Sequence, residues 1–154
     1  MDQIKETLEL WQPITSLKGE YEFKFNFVEV LRHNNYLKIS LADHFGNLVD
    51  IIYEDPMNVC PFEYSVWSFR HSTELGNLHK SRFEIDNSKL IDKKAIHFCK
   101  VRNSDYINSF DNNPIGNKKL FPDVEHHMYL TGDEIFEVIS NYEPRFVEKN
   151  IKNI

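Results

Sequence analysis

The clearest pattern along the chain is an alternation of aromatic and polar residues in the stretch EYEFKFNFVEV, residues 20–30. Its aromatic positions are Tyr21, Phe23, Phe25 and Phe27. Because successive side chains of a strand point to opposite faces, this alternation predicts a strand with one buried aromatic face and one solvated face. The stretches YLKISLAD and LVDIIYE extend the pattern on both sides of the turn sequence DHFGN. Residues 20–54 are therefore predicted to form a three-stranded antiparallel meander.

Four stretches outside this meander also have the composition of strands. They are CPFEYSVWSFRH, part of SRFEIDNSKL, KKAIHFCKV and VEHHMYL. The first of them is expected to be extended from Phe62 onward. At the N-terminus, Ile4, Leu8 and Trp11 instead recur at helical spacing, which predicts a short amphipathic helix that ends at Pro13.

In NSDYINSF, which begins at Asn103, the apolar residues no longer occur at every second position but at the spacing of a helix. Asn103 or Ser104 can accept a hydrogen bond from an early amide, and Asp105 favours the positive end of a helix dipole, so a short helix is predicted here. Further along, the turn TGD separates VEHHMYL from EIFEVISNYEP. Thr131 and Glu134 fit a helix capping box, whereas a Gly-Asp turn between two apolar runs fits a β-hairpin, and the hairpin is preferred.

Length and composition bound the fold class. A chain of 154 residues with 41% hydrophobic and 27% charged residues is typical of one globular domain, here residues 1–154. Its 12 Phe, 7 Tyr and 2 Trp favour half-buried pleated surfaces. The sequence therefore predicts an α+β, mainly β domain in which an antiparallel sheet is flanked by one or two short helices.

The charge of the chain disfavours nucleic acid as a partner. A formal net charge of −6 lacks the clustered Lys and Arg that phosphate contacts need, and a basic protein partner fits better. The stretch MDQIKETLELWQPI is charged throughout, so no signal peptide and no membrane span are expected, and the protein is predicted to be cytoplasmic. In that reducing compartment, Cys60 and Cys99 are expected to be small buried hydrophobes rather than a disulfide.

One group of residues has the chemistry of a metal site. His97 and Cys99 share a strand face at a spacing of two, and either His126 or His127 would complete a set of zinc ligands. The sequence lacks the close ligand pairs of structural zinc modules. We therefore expect surface histidines and a buried thiol, with no metal and no cofactor.

Two enzymatic alternatives stay open. Glu22 and Lys24 have the acid-x-lysine spacing of some metal-dependent nucleases, although any strand with a solvated face often carries that tripeptide. A nucleophilic Cys60 or Cys99 would need a histidine base that is a spatial rather than a sequential neighbour. Neither motif rises above a purely structural interpretation, so the chain is expected not to be an enzyme.

The stretches HFCKVRNSDYINSF and VEHHMYLTGDEIFEVISNYEP together resemble a pattern of small bacterial proteins that are often encoded beside polymorphic toxins. In that pattern a strand ends in a V-x-N-S step, a short helix carries an aromatic residue, and a later strand leads to an acid-proline pair. The stretch LKISLADHFGNLVDIIYED is similar to the hairpin in the first half of those proteins. Residues 71–94 have no match. The resemblance implies an immunity protein that neutralises a cognate toxin by covering its active site, and it supplies no catalytic residues.

An immunity protein needs a surface that contacts the toxin. Exposed acids would form a negative edge facing a basic toxin, or simply a solvated face; the candidates are Asp123, Glu125, Asp133, Glu134 and Glu137. Apolar anchors are also required, and the candidates are Phe121, Tyr142 and Phe146, all three of which could instead be core residues. Two other functions compete with this hypothesis. One is a metal-dependent hydrolase or nuclease that uses the His/Cys group, and the other is a homodimeric structural protein that pairs through a sheet edge. The oligomeric state, monomer or homodimer, stays open.

Overall fold

The structure of the chain is a computed structural model that describes residues 6–11, 15–17, 25–57, 59–73, 84–85, 97–131 and 134–150. Its elements are β1 (Thr7–Leu10), β2 (Asn26–Arg32), β3 (Tyr36–Ala42), β4 (Asn47–Glu54), a 3-10 turn (Phe62–Tyr64), β5 (Val66–Thr73), β6 (Glu84–Ile85), β7 (Phe98–Arg102), α1 (Asp105–Asn108), β8 (Glu125–Leu130), β9 (Glu134–Ser140) and β10 (Arg145–Asn150). Some positions used in the sequence analysis lie outside the described residues: Ile4, Pro13, Tyr21, Glu22, Phe23, Lys24 and Asp133.

The described part of the predicted meander is confirmed. Strands β2, β3 and β4 pair antiparallel, and β10 adds to the far side of β4, so the order in this four-stranded sheet is β10-β4-β3-β2. The β3–β4 turn is closed by Asp43, whose carboxylate accepts hydrogen bonds from the amides of Phe45 and Asn47. Gly46 has a φ of 87°, a conformation that favours glycine, which explains the DHFGN turn sequence.

The other sheet has six strands in the order β5-β9-β8-β7-β1-β6. Its pairs are antiparallel except for β1 and the short β6. The preferred hairpin is confirmed, because β8 and β9 are antiparallel neighbours from Glu125 opposite Ser140 to Leu130 opposite Ile135. Thr131 serves this hairpin rather than a helix, since its amide donates to the carbonyl of Glu134.

The two sheets pack face to face around one main core. The four-stranded sheet contributes side chains that are at most 1% exposed: Leu37, Ile39, Leu41, Val49, Ile51 and Tyr53. The six-stranded sheet contributes Phe98, Tyr129, Phe136 and Val138 to the same cluster. Burying each large apolar side chain stabilises the fold by roughly 1.5–3 kcal/mol. The prediction of a mainly β fold is confirmed, with its strands divided between two packed sheets.

The predicted N-terminal helix is wrong. Residues Thr7–Leu10 form a strand, with Leu8 opposite Val101 and Leu10 opposite Cys99. Leu8 packs into a small second cluster on the outer face of the six-stranded sheet. A three-residue spacing of apolar positions is a weak signal, and pairing with β7 overrides it.

Two further segments differ from the sequence prediction. Phe62–Tyr64 is a 3-10 turn rather than the start of a strand, and this turn buries Phe62 beneath the guanidinium of Arg32 while Tyr64 is exposed. The final strand β10 was not predicted. It carries Phe146 onto Trp11 and the main core, so Phe146 is a half-buried packing residue and not an exposed anchor.

The part of the chain that the structure describes contains no helix long and apolar enough to cross a membrane.

Candidate functional site

The corner between β7 and β8 carries a chain of buried polar contacts. Ser104 caps α1 as predicted, because its Oγ accepts a hydrogen bond from the amide of Ile107 at 3.0 Å. Asn103, just before it, has a φ of 57°, and this left-handed residue turns the chain from strand to helix. Ser104 Oγ lies 2.7 Å from His126 Nδ1, and His126 Nε2 lies 2.9 Å from a Glu137 carboxylate oxygen.

The two ring nitrogens of His126 have different partners. A carboxylate only accepts hydrogen bonds, so Nε2 of His126 donates to Glu137. Nδ1 forms the hydrogen bond with the Ser104 hydroxyl. Arg70 completes the chain: its Nε and Nη2 donate to the two Glu137 oxygens at 2.5 and 3.0 Å. Burial raises the pKa of Glu137, but the hydrogen bonds from His126 and Arg70 outweigh it and lower that pKa to about 2.

Tyr106 of α1 covers this chain of contacts. Its ring lies beneath the Arg70 guanidinium at 4.0 Å and meets His126 edge-on at 5.5 Å. Its hydroxyl hydrogen-bonds Ser68 of β5. The short helix therefore lies against the outer face of the six-stranded sheet through polar and aromatic contacts together.

Hydroxyl, imidazole and carboxylate are connected here in the order that nucleophilic catalysis uses. Ser104 also lines an open groove of about 380 Å³, with Ile107, Lys118 and Val124 among its other walls. Ser104 is only 4% exposed, and its oxygen is occupied by the Ile107 amide. The contacts of Ser104 are those of a helix cap that also anchors His126.

A second set of buried polar groups lies between the two sheets. The Tyr53 hydroxyl lies 2.5 Å from that of Tyr129 and 2.7 Å from His127 Nδ1. Trp11 packs against the His127 ring with centroids 4.6 Å apart. Burial lowers the pKa of His127 and raises those of both tyrosines, so all three groups are neutral near pH 7.

The four candidate metal ligands do not converge. The expectation of surface histidines is wrong for His126 and His127, which are 1% and 0% exposed. They are neighbours on β8 and point to opposite faces of the sheet, and each has its own hydrogen-bond partners. His97 is hydrogen-bonded to the Leu130 carbonyl, and burial raises the pKa of Cys99 to about 12, so its thiol stays protonated. Among the residues that the structure describes, no group of three or more His, Cys, Asp or Glu side chains is arranged to hold a metal ion.

The cysteine prediction is half right. Both cysteines are free thiols, as expected, and Cys99 is buried. Cys60 is exposed, because it lies in the loop after β4 where the Asp55 carboxylate accepts its amide hydrogen bond.

Three acids of the predicted edge have hydrogen-bond or ion-pair partners within this chain. Glu137 is only 2% exposed and is bound by Arg70. Glu125 is half-buried beside Lys100 at 3.0 Å, and Glu134 pairs with His71. Asp123 is exposed. Of these four acids, Asp123 best matches the expected solvent-facing position.

The predicted anchors lie in different environments. Tyr142 is 41% exposed and Phe121 is 40% exposed. Phe121 belongs to a cleft of about 230 Å³, which we call the aromatic cleft, lined by Glu63, Tyr64, Trp67, Phe110, Asn113, Ile115, Gly116, Phe121 and Asn141. The cleft joins the 3-10 turn, β5 and the segment after α1.

Trp67 is the ring against which two other rings of the cleft pack. Phe110 and Phe121 both meet Trp67 edge-on, with centroids 5.5 and 5.9 Å away. The Asn113 side-chain oxygen accepts hydrogen bonds from the amides of Ile115 and Gly116 and so shapes the opposite wall. Ile115 is 76% exposed.

Sequence reasoning identified Phe121 but missed the rest of this cleft. Tyr64 and Trp67 lie in the stretch that was expected to be a strand, and Ile115 lies in DNNPIGNKKLFPD, a stretch rich in polar and turn residues. The Asn-Pro-x-Gly sequence was the available signal, because such a turn exposes the apolar residue that it contains.

The fold and the cleft define a two-sheet β-domain with an aromatic surface site. Comparison with known proteins adds no relative: no protein-family model, no curated protein and no solved structure matches this chain.

Proposed function

We propose that the chain is a non-enzymatic binding protein, specifically a cytoplasmic immunity protein that neutralises a cognate bacterial toxin by covering its active site. The observation that carries this proposal is the aromatic cleft, where Tyr64 and Ile115 are 63% and 76% exposed around a half-buried Trp67. Aromatic anchors in a surface depression, surrounded by polar residues, are typical of the centres of protein interfaces. The mechanism is steric occlusion and uses no cofactor.

The state of the chemically active side chains supports a binding role. Ser104, His126 and His127 are at most 4% exposed, and each is hydrogen-bonded within the chain. Cys99 is buried and protonated near neutral pH. A general base or a nucleophile has to reach its substrate, and these groups face the interior instead.

Electrostatic steering in this proposal comes from the whole molecule rather than from the β8–β9 edge. Glu125, Glu134 and Glu137 are paired with cations or histidines of this chain. The net charge of −6 remains, and Glu63 and Asp123 are exposed. A basic toxin is therefore attracted by the overall field and by acids near the cleft.

Co-expression with the product of the neighbouring gene in a bacterial host tests the proposal. If that product is the toxin, it stops growth when expressed alone, and the wild-type chain restores growth. The purified pair forms a stoichiometric complex in which the toxin is inactive. Growth that stays arrested despite abundant folded chain would contradict the immunity function.

Variants connect the effect to the cleft. Tyr64→Ala and Phe121→Ala are expected to weaken the complex at least tenfold, because truncation of interface anchors has effects of that order. Val59→Ala is the matched control, since Val59 is 77% exposed on another loop. Unchanged binding in Tyr64→Ala and Phe121→Ala would place the interface elsewhere.

A hydrolase built on Ser104 is the second candidate, favoured by the Ser104–His126–Glu137 contacts beside a groove. Treatment with a fluorophosphonate discriminates between the two. A covalent adduct at Ser104, found by mass spectrometry, supports the hydrolase; the binding proposal expects the serine to stay unmodified.

A further inference from the structure

The lining of the aromatic cleft is aromatic and acidic, without a basic side chain among the described residues. Four aromatic rings line the cleft: those of Tyr64, Trp67, Phe110 and Phe121. Glu63 carries the charge among the described lining residues, and no Lys or Arg lies among them. The cleft therefore combines aromatic surface with a carboxylate and lacks a cation of its own.

Asn141 also belongs to this lining. Its side-chain nitrogen donates to the Tyr64 carbonyl at 3.4 Å, while its Oδ1 is buried and makes no hydrogen bond within the described part of the chain. Because that oxygen has almost no accessible surface, a ligand in the cleft would meet the rings and Glu63 rather than this acceptor.

We propose that the aromatic cleft binds an arginine side chain of the partner protein. A guanidinium stacks on aromatic rings and presents five donors in a planar fork, so it can meet the rings and the Glu63 carboxylate at the same time. This inference rests on the proposed function, since it names the chemical group with which a basic toxin engages the cleft.

Other side chains fit the lining less well. A purely apolar side chain would cover the rings but desolvate the Glu63 carboxylate without giving it a partner. A lysine ammonium is a compact, strongly hydrated charge that gains less from stacking. The chain already uses the proposed arrangement internally, because Arg70 stacks on Tyr106 at 4.0 Å while it pairs with Glu137.

Titration with N-acetyl-arginine amide tests the inference without the partner. The expected result is saturable movement of the Trp67 indole N–H resonance, assigned with Trp67→Phe, and of the Asn141 side-chain amide signals. N-acetyl-citrulline amide, the neutral isostere, is expected to bind at least five times more weakly because it lacks the charge that Glu63 recognises. N-acetyl-lysine amide is expected to lie between them.

Glu63→Gln keeps the shape of the cleft and removes its charge. It is expected to weaken binding of the arginine probe about five- to tenfold. Glu29→Gln, an exposed acid on the four-stranded sheet, is the matched control and is expected to change nothing. Equal shifts with arginine and citrulline probes, or none with either, would overturn the inference.

The two proposals fail in different ways. If the arginine probe binds at Trp67 and the toxin is not neutralised, the cleft assignment stands and the immunity function is wrong. If the toxin is neutralised and Glu63→Gln binds both it and the probe as well as the wild type, the arginine inference is wrong and the immunity function stands.

Discussion

Glu137 illustrates how neighbours decide what a single residue does. The carboxylate is 2% exposed and accepts hydrogen bonds from both Arg70 and His126, so it stabilises the fold only while it is ionised. Breaking a buried ion pair leaves the remaining charge poorly compensated. Its strand neighbour Glu134 has an exposed contact with His71 instead.

Replacing Glu137 by Gln is therefore expected to lower the free energy of unfolding by about 2 kcal/mol, since the partly exposed Arg70 is still solvated. Glu134→Gln, the same change on the same strand, is expected to lower it by less than about 0.5 kcal/mol. Urea unfolding of both variants measures the difference. Equal effects would mean that the buried pair contributes no more than the exposed one.

The two thiols are expected to differ sharply in reactivity. Cys60 is exposed, whereas Cys99 is 1% exposed with a pKa of about 12. The thiolate is the reactive form, so a maleimide should label one cysteine in the native protein and both in urea. Peptide mapping identifies the labelled residue. Rapid labelling of Cys99 in the native protein would show that the small cluster of Leu8, Cys99, Val101 and Met128 opens readily.

At the scale of elements, α1 is too short to be stable alone, and its cap gives it a tertiary role. The Ser104 hydroxyl accepts a hydrogen bond from the Ile107 amide and also hydrogen-bonds His126 of β8, so it connects the helix to the sheet. The capping motif was predictable from NSDYINSF, because Ser followed by Asp is a local signal. The contact with His126 was not predictable, because that residue lies 22 positions away.

Ser104→Ala is expected to destabilise the protein by about 1–2 kcal/mol, because it removes the cap and leaves the buried His126 Nδ1 without its hydrogen-bond partner. Ser109→Ala is the control. Its hydroxyl donates to the Tyr106 carbonyl at an exposed position, so a change below about 0.5 kcal/mol is expected. The urea midpoints of the two variants are compared. If Ser104→Ala leaves the midpoint unchanged, water replaces both contacts of the hydroxyl.

At the scale of the whole molecule, buried ionisable groups make stability depend on pH. Hydrogen bonds lower the pKa of Glu137 to about 2 despite the opposing effect of burial, and burial lowers the pKa values of His97 and His127. A group with a depressed pKa in the folded state binds protons more readily when unfolded. Its contribution is complete above the unfolded pKa and is lost as the pH falls.

The unfolding free energy is therefore expected to decline first below about pH 6.5, where unfolded histidines protonate, and further from about pH 5 towards pH 2, where carboxylates do. Urea midpoints at pH 7, 5 and 3 measure this decline. Glu137→Gln should show a shallower loss between pH 5 and 3. A midpoint that rises on acidification would contradict the assigned ion pairs.

The sequence by itself determined the local character of most elements. Alternating runs predicted strands in residues 25–54 and in the β8–β9 hairpin, because side-chain period and turn chemistry act within a few residues. Tertiary structure decided what depends on distant neighbours. Thr7–Leu10 is a strand because it pairs with β7, and the half-buried Phe146 packs against Trp11 and the main core. Glu137 is buried and Tyr64 is exposed because of how the two sheets and the corner between β7 and β8 pack. That packing depends on residues far apart in the sequence, so no local pattern predicts it.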